Sequence, residues 1–478
     1  MKRNLTARSV MVSLLTGILV AAGALAHLRS TQADEPDYFA IEHARVVTVS
    51  GATLDDATVL VEKGVIAAVG TSVEVPPEAM VIDGKGMTVY PGFIDAGTDI
   101  GLQAPAPPGA PPQMAGGGGG RRAAVPAQIA MGPEDRPGTT PWNDAADDLN
   151  TNDKRIETWR DAGFTTVLST PKGGIFPGQG AVIDLAGERP GKMVVKAPAT
   201  LEVSLQPVGG FWSFPGSLMG TVAYARQVFI DTRWYKDAEK AYAAHPQGQE
   251  RPMYDRTERV VGRALATGEL VLVSANSDIQ IRRALRLVDE WKLENAALYG
   301  VQQSYDVANE IAAKKIPVLV NLKWPEPPKD ADPADVPSLK ELRFRDRAPG
   351  TPAALVKAGV KFGFYSGGLD STEGIRKNLK KAVDAGLSPE AALRALTIDP
   401  ATILGVSDRL GSIERGKIAN LVVADGDIFG EKTKVKIVFV DGKRFEVHEA
   451  PPGEKHEGGP PGKPGMLAPQ GAGQGGSR

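Results

Sequence analysis

One stretch, Gly84-Lys85-Gly86-Met87-Thr88-Val89-Tyr90-Pro91-Gly92-Phe93-Ile94-Asp95-Ala96-Gly97-Thr98-Asp99, separates two kinds of pattern in the chain. It reads as an Asp-Gly turn, a short apolar strand, a Pro-Gly break and a second strand from Phe93, with Asp95 and Asp99 where that strand runs out. Before it the sequence holds only short Val- and Ile-rich runs (39–49, 58–62, 65–69, 80–83 and 87–90), punctuated by Ser-Gly, Lys-Gly and Asp-Gly turns. No helix-length periodic segment interrupts them, so a small β-sandwich is expected. After it, amphipathic segments at 153–162, 220–244, 278–291, 304–314, 352–358 and 372–385 alternate with apolar runs at 165–169, 270–273, 297–298, 318–322 and 361–365. That alternation predicts an α/β arrangement with a parallel sheet. Its count and length suit a (β/α)8 barrel, whose sites lie on loops at the C-terminal strand ends.

Composition narrows the chemistry. At 478 residues the chain has room for one large and one smaller domain. A formal charge of -2, from 55 basic and 57 acidic residues, gives no basic stripe for nucleic acid and no acidic solvating block. There is no cysteine, which excludes thiolate metal sites, cysteine nucleophiles and disulfides. The five histidines, His27, His43, His245, His448 and His456, are too scattered to form a cluster. His245, at the end of a predicted helix, reads as a polar C-terminal residue. The serines that could serve as nucleophiles have no barrel histidine to activate them. Gly173-Gly174 and Gly178-x-Gly180 do not open a helix in the GxGxxG manner, so a dinucleotide site is weakly supported.

The N-terminus carries Lys2, Arg3 and Arg8, then an apolar run ending in Ala24-Leu25-Ala26. A basic region, an apolar core and an A-x-A site together predict a secretory signal peptide over 1–26. No membrane span is then expected after cleavage, and the address is periplasmic or extracellular. Two segments, 103–140 with its Gly116–Gly120 tract and the Gly/Pro-rich tail 449–478, are expected to be disordered. The first would hang over the barrel mouth.

The stretch 84–99 resembles the G-K-x-V-x-P-G-F-I-D-x-H-x-H segment of the amidohydrolase superfamily, imidazolonepropionase-like branch. Further likenesses lie at Gly173-Gly174-Ile175-Phe176-Pro177-Gly178-Gln179-Gly180, Leu387-Ser388-Pro389-Glu390-Ala391-Ala392-Leu393 and Leu410-Gly411-Ser412-Ile413-Glu414-Arg415-Gly416-Lys417. The resemblance implies a barrel at 93–404, a composite β-domain from 37–92 and 405–448, and hydrolysis of C–N bonds other than peptide bonds. It also implies a divalent metal held by two histidines on strand one, Lys or Glu on strand four, histidines on strands five and six, and Asp on strand eight. Here the strand-one pair reads Gly97 and Asp99. The strand-five, -six and -eight positions read Ser274, Gly300 and Gly367. The scaffold is kept and the ligand set is replaced, so the family's metal mechanism is not expected to operate.

Three carboxylates, Asp99, Glu202 near strand four and Asp370 beside strand eight, could face one pocket as a rebuilt catalytic site. An oxygen-only set would suit Ca²⁺ or Mg²⁺ better than Zn²⁺. Their alternative is a solvated or ion-paired role. Ser274, Asn276 and Lys323 are substrate-contact candidates, with Lys323 either anchoring an anion or snorkelling at the rim. No cofactor is expected. Three functions follow: a pseudoenzyme binding a small molecule or a partner, a hydrolase with a rebuilt carboxylate site, and a subunit of a homo- or hetero-oligomeric envelope assembly.

Overall fold

The computed structural model describes residues 37–102, 136–187, 189–207, 215–327, 336–369, 371–430 and 432–447. The expected signal peptide, residues 103–135 of the Gly/Pro-rich stretch, the tail, and Asp370, His27, His448 and His456 lie outside the described residues.

Five strands come first: β1 (Tyr38–Val46), β2 (Leu54–Glu62), β3 (Val65–Gly70), β4 (Met80–Asp83) and β5 (Thr88–Pro91). After the Pro-Gly break come β6 (Phe93–Thr98), α1 (Arg155–Asp161), β7 (Phe164–Ser169), β8 (Gln179–Asp184), α2 (Pro190–Met193) and β9 (Val194–Val203). Next are α3 (Leu218–Ala244), α4 (Arg256–Thr267), β10 (Leu270–Ala275), α5 (Asp278–Trp291), β11 (Ala296–Gly300), α6 (Ala308–Lys314) and β12 (Val318–Asn321). Then follow α7 (Leu339–Arg347), α8 (Thr351–Ala358), β13 (Phe362–Tyr365), α9 (Thr372–Asp384), α10 (Pro389–Leu396) and α11 (Ile398–Ile403). The described chain finishes with β14 (Leu421–Ala424), β15 (Val435–Val440) and β16 (Lys443–Glu446).

Strands β6 to β13 form one sheet in chain order, and β7 through β13 are the second to eighth staves of a barrel that begins at β6. One stave departs from the expected all-parallel alternation. Strand β8 runs antiparallel to both β7 and β9, whereas the other pairings within this sheet are parallel. The reason is chain length: Thr170–Gly178 is shorter than the dozen or so residues a parallel crossover needs, so the strand turns back as a hairpin. The edges β6 and β13 meet, and buried Asp95 fastens them. Its Oδ1 accepts the Ser366 N–H at 2.9 Å, and its Oδ2 accepts the indole N–H of Trp159 at 3.2 Å.

Side chains alternate across the barrel wall with the period of two. Ile94, Ala96, Leu168, Val182, Leu270, Leu272, Ala297 and Leu319 form the inner cluster, closed at the lower end by Ala401, Ile403 and Leu404. Their strand neighbours, including Phe93, Val167, Val271, Leu298, Val318 and Phe362, face the helical layer. Helix boundaries follow local chemistry. In α5, Ser277 and Gln280 make a reciprocal capping box, and the helix ends on Lys292 in the left-handed region. The segment 304–314, expected as one helix, is a 3₁₀ turn (Ser304–Asp306) followed by α6.

The first five strands and the last three join in a second sheet of order β16-β15-β14-β5-β1-β2-β3, with β4 also pairing on β1. It is thus hydrogen-bonded as one branched sheet, with its own core of Phe39, Ile41, Val59, Val61, Leu421 and Phe439. Asn420 ties this sheet to the barrel: its Nδ2 donates to Thr166 Oγ1 and Asp184 Oδ1, each at 3.1 Å. The end of the Gly/Pro-rich stretch, Arg136–Thr140, packs into the barrel wall. Thr140 N–H bonds Phe176 O at 2.8 Å, and Arg136 pairs with Asp255 at 3.1 Å. Among the described residues, no helix is long and apolar enough to cross a membrane.

Candidate functional site

Because the inner face of every stave repeats at every second residue, the residue two beyond each inner apolar side chain arrives at the barrel mouth. By that parity Glu202 on β9, Tyr299 on β11, Asn321 on β12 and Tyr365 on β13 converge there. With Thr98, Thr170, Lys172, Leu168, Leu272 and Leu319 they line a cavity of about 180 Å³ that also touches Gly97 and Gly367.

Glu202 is the chemical centre of this cavity. Its Oε1 accepts the phenolic O–H of Tyr299, while Oε2 is buried and has no hydrogen-bond partner. Burial pushes its carboxyl up to about 7, against the Tyr299 hydrogen bond, the nearby Lys172 charge and the Thr170 hydroxyl. Burial, with the Glu202 charge beside it, raises the Tyr299 phenol well above its ordinary value, and the same causes raise Tyr365. The two tyrosine rings meet edge to face, with centroids 6.4 Å apart.

Asp99 is spent on ion pairs. Lys172 Nζ lies 2.8 Å from its Oδ2, and Arg155 donates to Oδ1 at 2.6 Å and to the main-chain oxygen at 3.0 Å. Burial would raise the Asp99 carboxyl, but the hydrogen bonds and charges of Lys172 and Arg155 outweigh it and hold the group below the ordinary carboxylate range. Arg155 is anchored in turn by Asp153 at 2.7 Å. Asp99 and Glu202 therefore meet only through Lys172, and the rebuilt set proposed from the sequence is not assembled from these two. Asp370, its third member, lies outside the described residues.

The substrate-contact candidates sit around the rim. Ser274 is buried and its Oγ accepts the Leu205 N–H at 2.7 Å, a structural use of the hydroxyl. Asn276 donates its main-chain N–H to Gln280 at 2.9 Å. Lys323 lies two residues beyond the end of β12, not within it, and its Nζ reaches Gly368 O at 3.1 Å across the mouth. Sequence reasoning missed Lys172, Tyr299, Asn321 and Tyr365. The available signal was strand parity: Tyr299, Asn321 and Tyr365 stand two residues after Ala297, Leu319 and Gly363, and so point inward.

Comparisons place this geometry in a family. The model of the amidohydrolase family matches residues 304–445. The crystal structure of an amidohydrolase from Thermotoga maritima MSB8 is 28% identical, with a TM-score of 0.68 over 85% of this chain and 100% of that one. The chain thus resembles the amidohydrolase superfamily, by the family model over 304–445 and by the fold over most of its length. A Xaa-Pro dipeptidase with bound methionine (16% identity, TM-score 0.51, covering 86% of this chain and 100% of that chain) shares the fold. So does another amidohydrolase (18% identity, TM-score 0.51, 86% and 99%). No curated protein sequence matches the chain.

The resemblance implies a divalent metal, and the residues present do not fit one. Among the described residues no three His, Asp or Glu side chains converge as a ligand group. The space where ligands would project is also filled. A Cβ on Gly97 would lie 3.3 Å from the Tyr365 ring. A Cβ on Gly367, whose φ is +58°, would land inside the Asn321 amide, 2.5 Å from its Nδ2. On Gly300, at φ +101°, it would overlap Asn276 Oδ1 and sit 3.1 Å from Cγ. Glycine is the residue that leaves those volumes to the neighbours and takes the left-handed backbone without penalty.

Proposed function

We propose that this amidohydrolase-superfamily chain, of the imidazolonepropionase-like branch, is exported, has given up the divalent-metal chemistry and binds a small organic molecule at its barrel mouth. The observation that carries the reading is the replacement of ligand positions by glycines together with the occupation of their space by Tyr365, Asn321 and Asn276. A lost ligand alone can be compensated; a ligand volume occupied by another packed side chain requires rearrangement of the barrel mouth before any donor could return. The Lys172–Asp99–Arg155 group supports the same reading, since it sets two cations against Asp99, the residue at a strand-one donor position. Export rests on the basic residues, apolar run and Ala24-Leu25-Ala26 of the N-terminus.

Thermal melting tests the metal part. Protein treated with chelator and then given excess Zn²⁺, Mn²⁺, Mg²⁺ or Ca²⁺ is expected to melt at one temperature throughout. A native-state metal at a hundred times its Kd would add about 2.7 kcal/mol and shift the transition plainly.

One observation favours a second reading, a metal-independent hydrolase. A buried carboxyl poised at about 7 is suited to general acid or base catalysis at neutral pH. Turnover of small amides or lactams in chelator, abolished by Glu202→Gln, would establish it. Absence of turnover with retained ligand binding leaves the first reading in place.

A further inference from the structure

The cavity holds one feature that neither the fold nor the ion pairs use: the free, buried Oε2 of Glu202. A buried carboxylate oxygen without a partner is costly, by about 1–3 kcal/mol or more, and such an atom lining a cavity points to what would satisfy it. Among the described residues, the donors around it are hydrogen-bonded to other atoms, although the Lys172 charge and the Thr170 hydroxyl also act on the carboxyl. Lys172 is on Asp99 at 2.8 Å, the Tyr299 O–H is on Glu202, and the Thr170 hydroxyl reaches Thr98 O at 3.4 Å. The Asn321 and Tyr365 side chains bond each other, and Asn321 Oδ1 also takes the Lys323 N–H at 2.7 Å. Among the described residues, the cavity then offers the unpartnered Glu202 Oε2 and, beside it, the Tyr299 phenolic oxygen, which the Ser204 side chain also reaches, set among Leu168, Leu272, Leu319 and two aromatic rings.

The charge balance points the same way. Among the described residues, Lys172 and Arg155 are paired with Asp99 and Asp153, so an ionised Glu202 leaves one net negative charge in this group, with Lys172 as its nearby cation. A carboxylate ligand would be brought against Glu202 and these acceptors. A ligand that brings N–H donors and positive charge would complete them, with tyrosine rings as a further attraction for a cation.

We propose that the barrel mouth binds a small organic ammonium ion, its N–H groups received by Glu202 Oε2 and the Tyr299 phenolic oxygen beside the Tyr365 ring. The inference rests on the metal-free reading of this site given above. Binding then requires Glu202 to be ionised. The groups facing it are Thr170 and Lys172 after β7, Tyr299 on β11 and Tyr365 on β13, with Asp99 beyond Lys172. With its carboxyl at about 7 in the empty site, affinity should rise about tenfold between pH 6 and pH 8 as the ionised fraction grows.

Calorimetric titration of the mature full-length protein with benzylammonium, propylammonium, propionate and propionamide at pH 6 and pH 8 tests this, with metal content measured on the same sample. The expected result is ammonium binding that tightens about tenfold with pH, no propionate binding, and at least a tenfold loss without pH dependence in Glu202→Gln. Tyr299→Phe removes one acceptor while keeping the ring, and should weaken binding several-fold yet retain its pH dependence. Failure of both ammonium ions to bind metal-free, normally melting protein would overturn the inference and leave the metal-free reading standing. So would equal binding of propionamide or propionate, or binding unchanged in Glu202→Gln. A full equivalent of metal in the sample would overturn that reading itself.

Discussion

Gly367→Ala probes the filled ligand volume directly. The new Cβ would fall 2.5 Å from Asn321 Nδ2 and closer still to the rest of that amide, which is itself held by Tyr365 and the Lys323 N–H. Overpacking of this kind costs about 1–3 kcal/mol, and placing a β-carbon at the left-handed φ of +58° adds about 1–2 kcal/mol. The expected loss is therefore about 2–5 kcal/mol. Gly97→Ala is the internal control: its Cβ stands 3.3 Å from a ring edge and its backbone is not in the left-handed region, so about 1 kcal/mol or less is expected. Urea unfolding followed by the fluorescence of the buried Trp159, Trp291 and Trp324 measures both, with unchanged slopes confirming that the same transition is compared. Adding Asn321→Ala to Gly367→Ala should recover about 1–3 kcal/mol as coupling, leaving the backbone part behind. If Gly367→Ala costs no more than Gly97→Ala, or Asn321→Ala brings no relief, then Asn321 does not fill the lost ligand's place and the reasoning fails.

Asp95→Ala would leave the Ser366 N–H and the Trp159 indole N–H without their acceptor at the barrel seam, and should cost about 3 kcal/mol or more by the same urea assay. Ser274→Ala removes the acceptor of the Leu205 N–H and is expected to cost about 1–3 kcal/mol without altering metal content, contrary to what loss of a ligand would do. Asp184, at the junction of barrel and second sheet, has its carboxyl pushed from 3.8 up to about 7 by burial, against the hydrogen bonds of Thr166 and Asn420. The folded chain therefore keeps a proton that the unfolded chain has released. Stability from this group is fully present below about 4 and falls as pH rises toward 7, by at most about 1.4 kcal/mol per unit. Relative to wild type, Asp184→Asn should gain stability progressively over that window, and parallel denaturation curves at pH 4 to 8 would contradict the assignment.

How much of this was legible beforehand depended on which residues carry which signal. The turn and strand chemistry around Gly84–Asp99 marks the transition between the two sheets, and the periodicity of 278–291 locates α5 to the residue. The reversal of β8 could have been read from the shortness of 170–178, but apolar content alone gives a strand no direction. At the site, the loss of ligands was legible because Gly and Ser cannot coordinate as histidine does. The compensation was not legible in the same way, because Tyr365 and Asn321 acquire their roles only through closure of β13 against β6 and β12. The sequence left Asp99 as either a site carboxylate or a solvated or ion-paired one. Its partners Arg155 and Lys172 lie far along the chain, and only the barrel brings them to it.

The central claim, that the barrel mouth is built without a divalent metal, is tested most directly by elemental mass spectrometry of protein purified without chelator and without a histidine tag. The account predicts well under one equivalent of Zn, Mn, Fe, Ni, Ca or Mg per chain, unchanged by Glu202→Gln. A near-stoichiometric metal that survives dialysis and is lost on replacing Asp99 or Glu202 would contradict it.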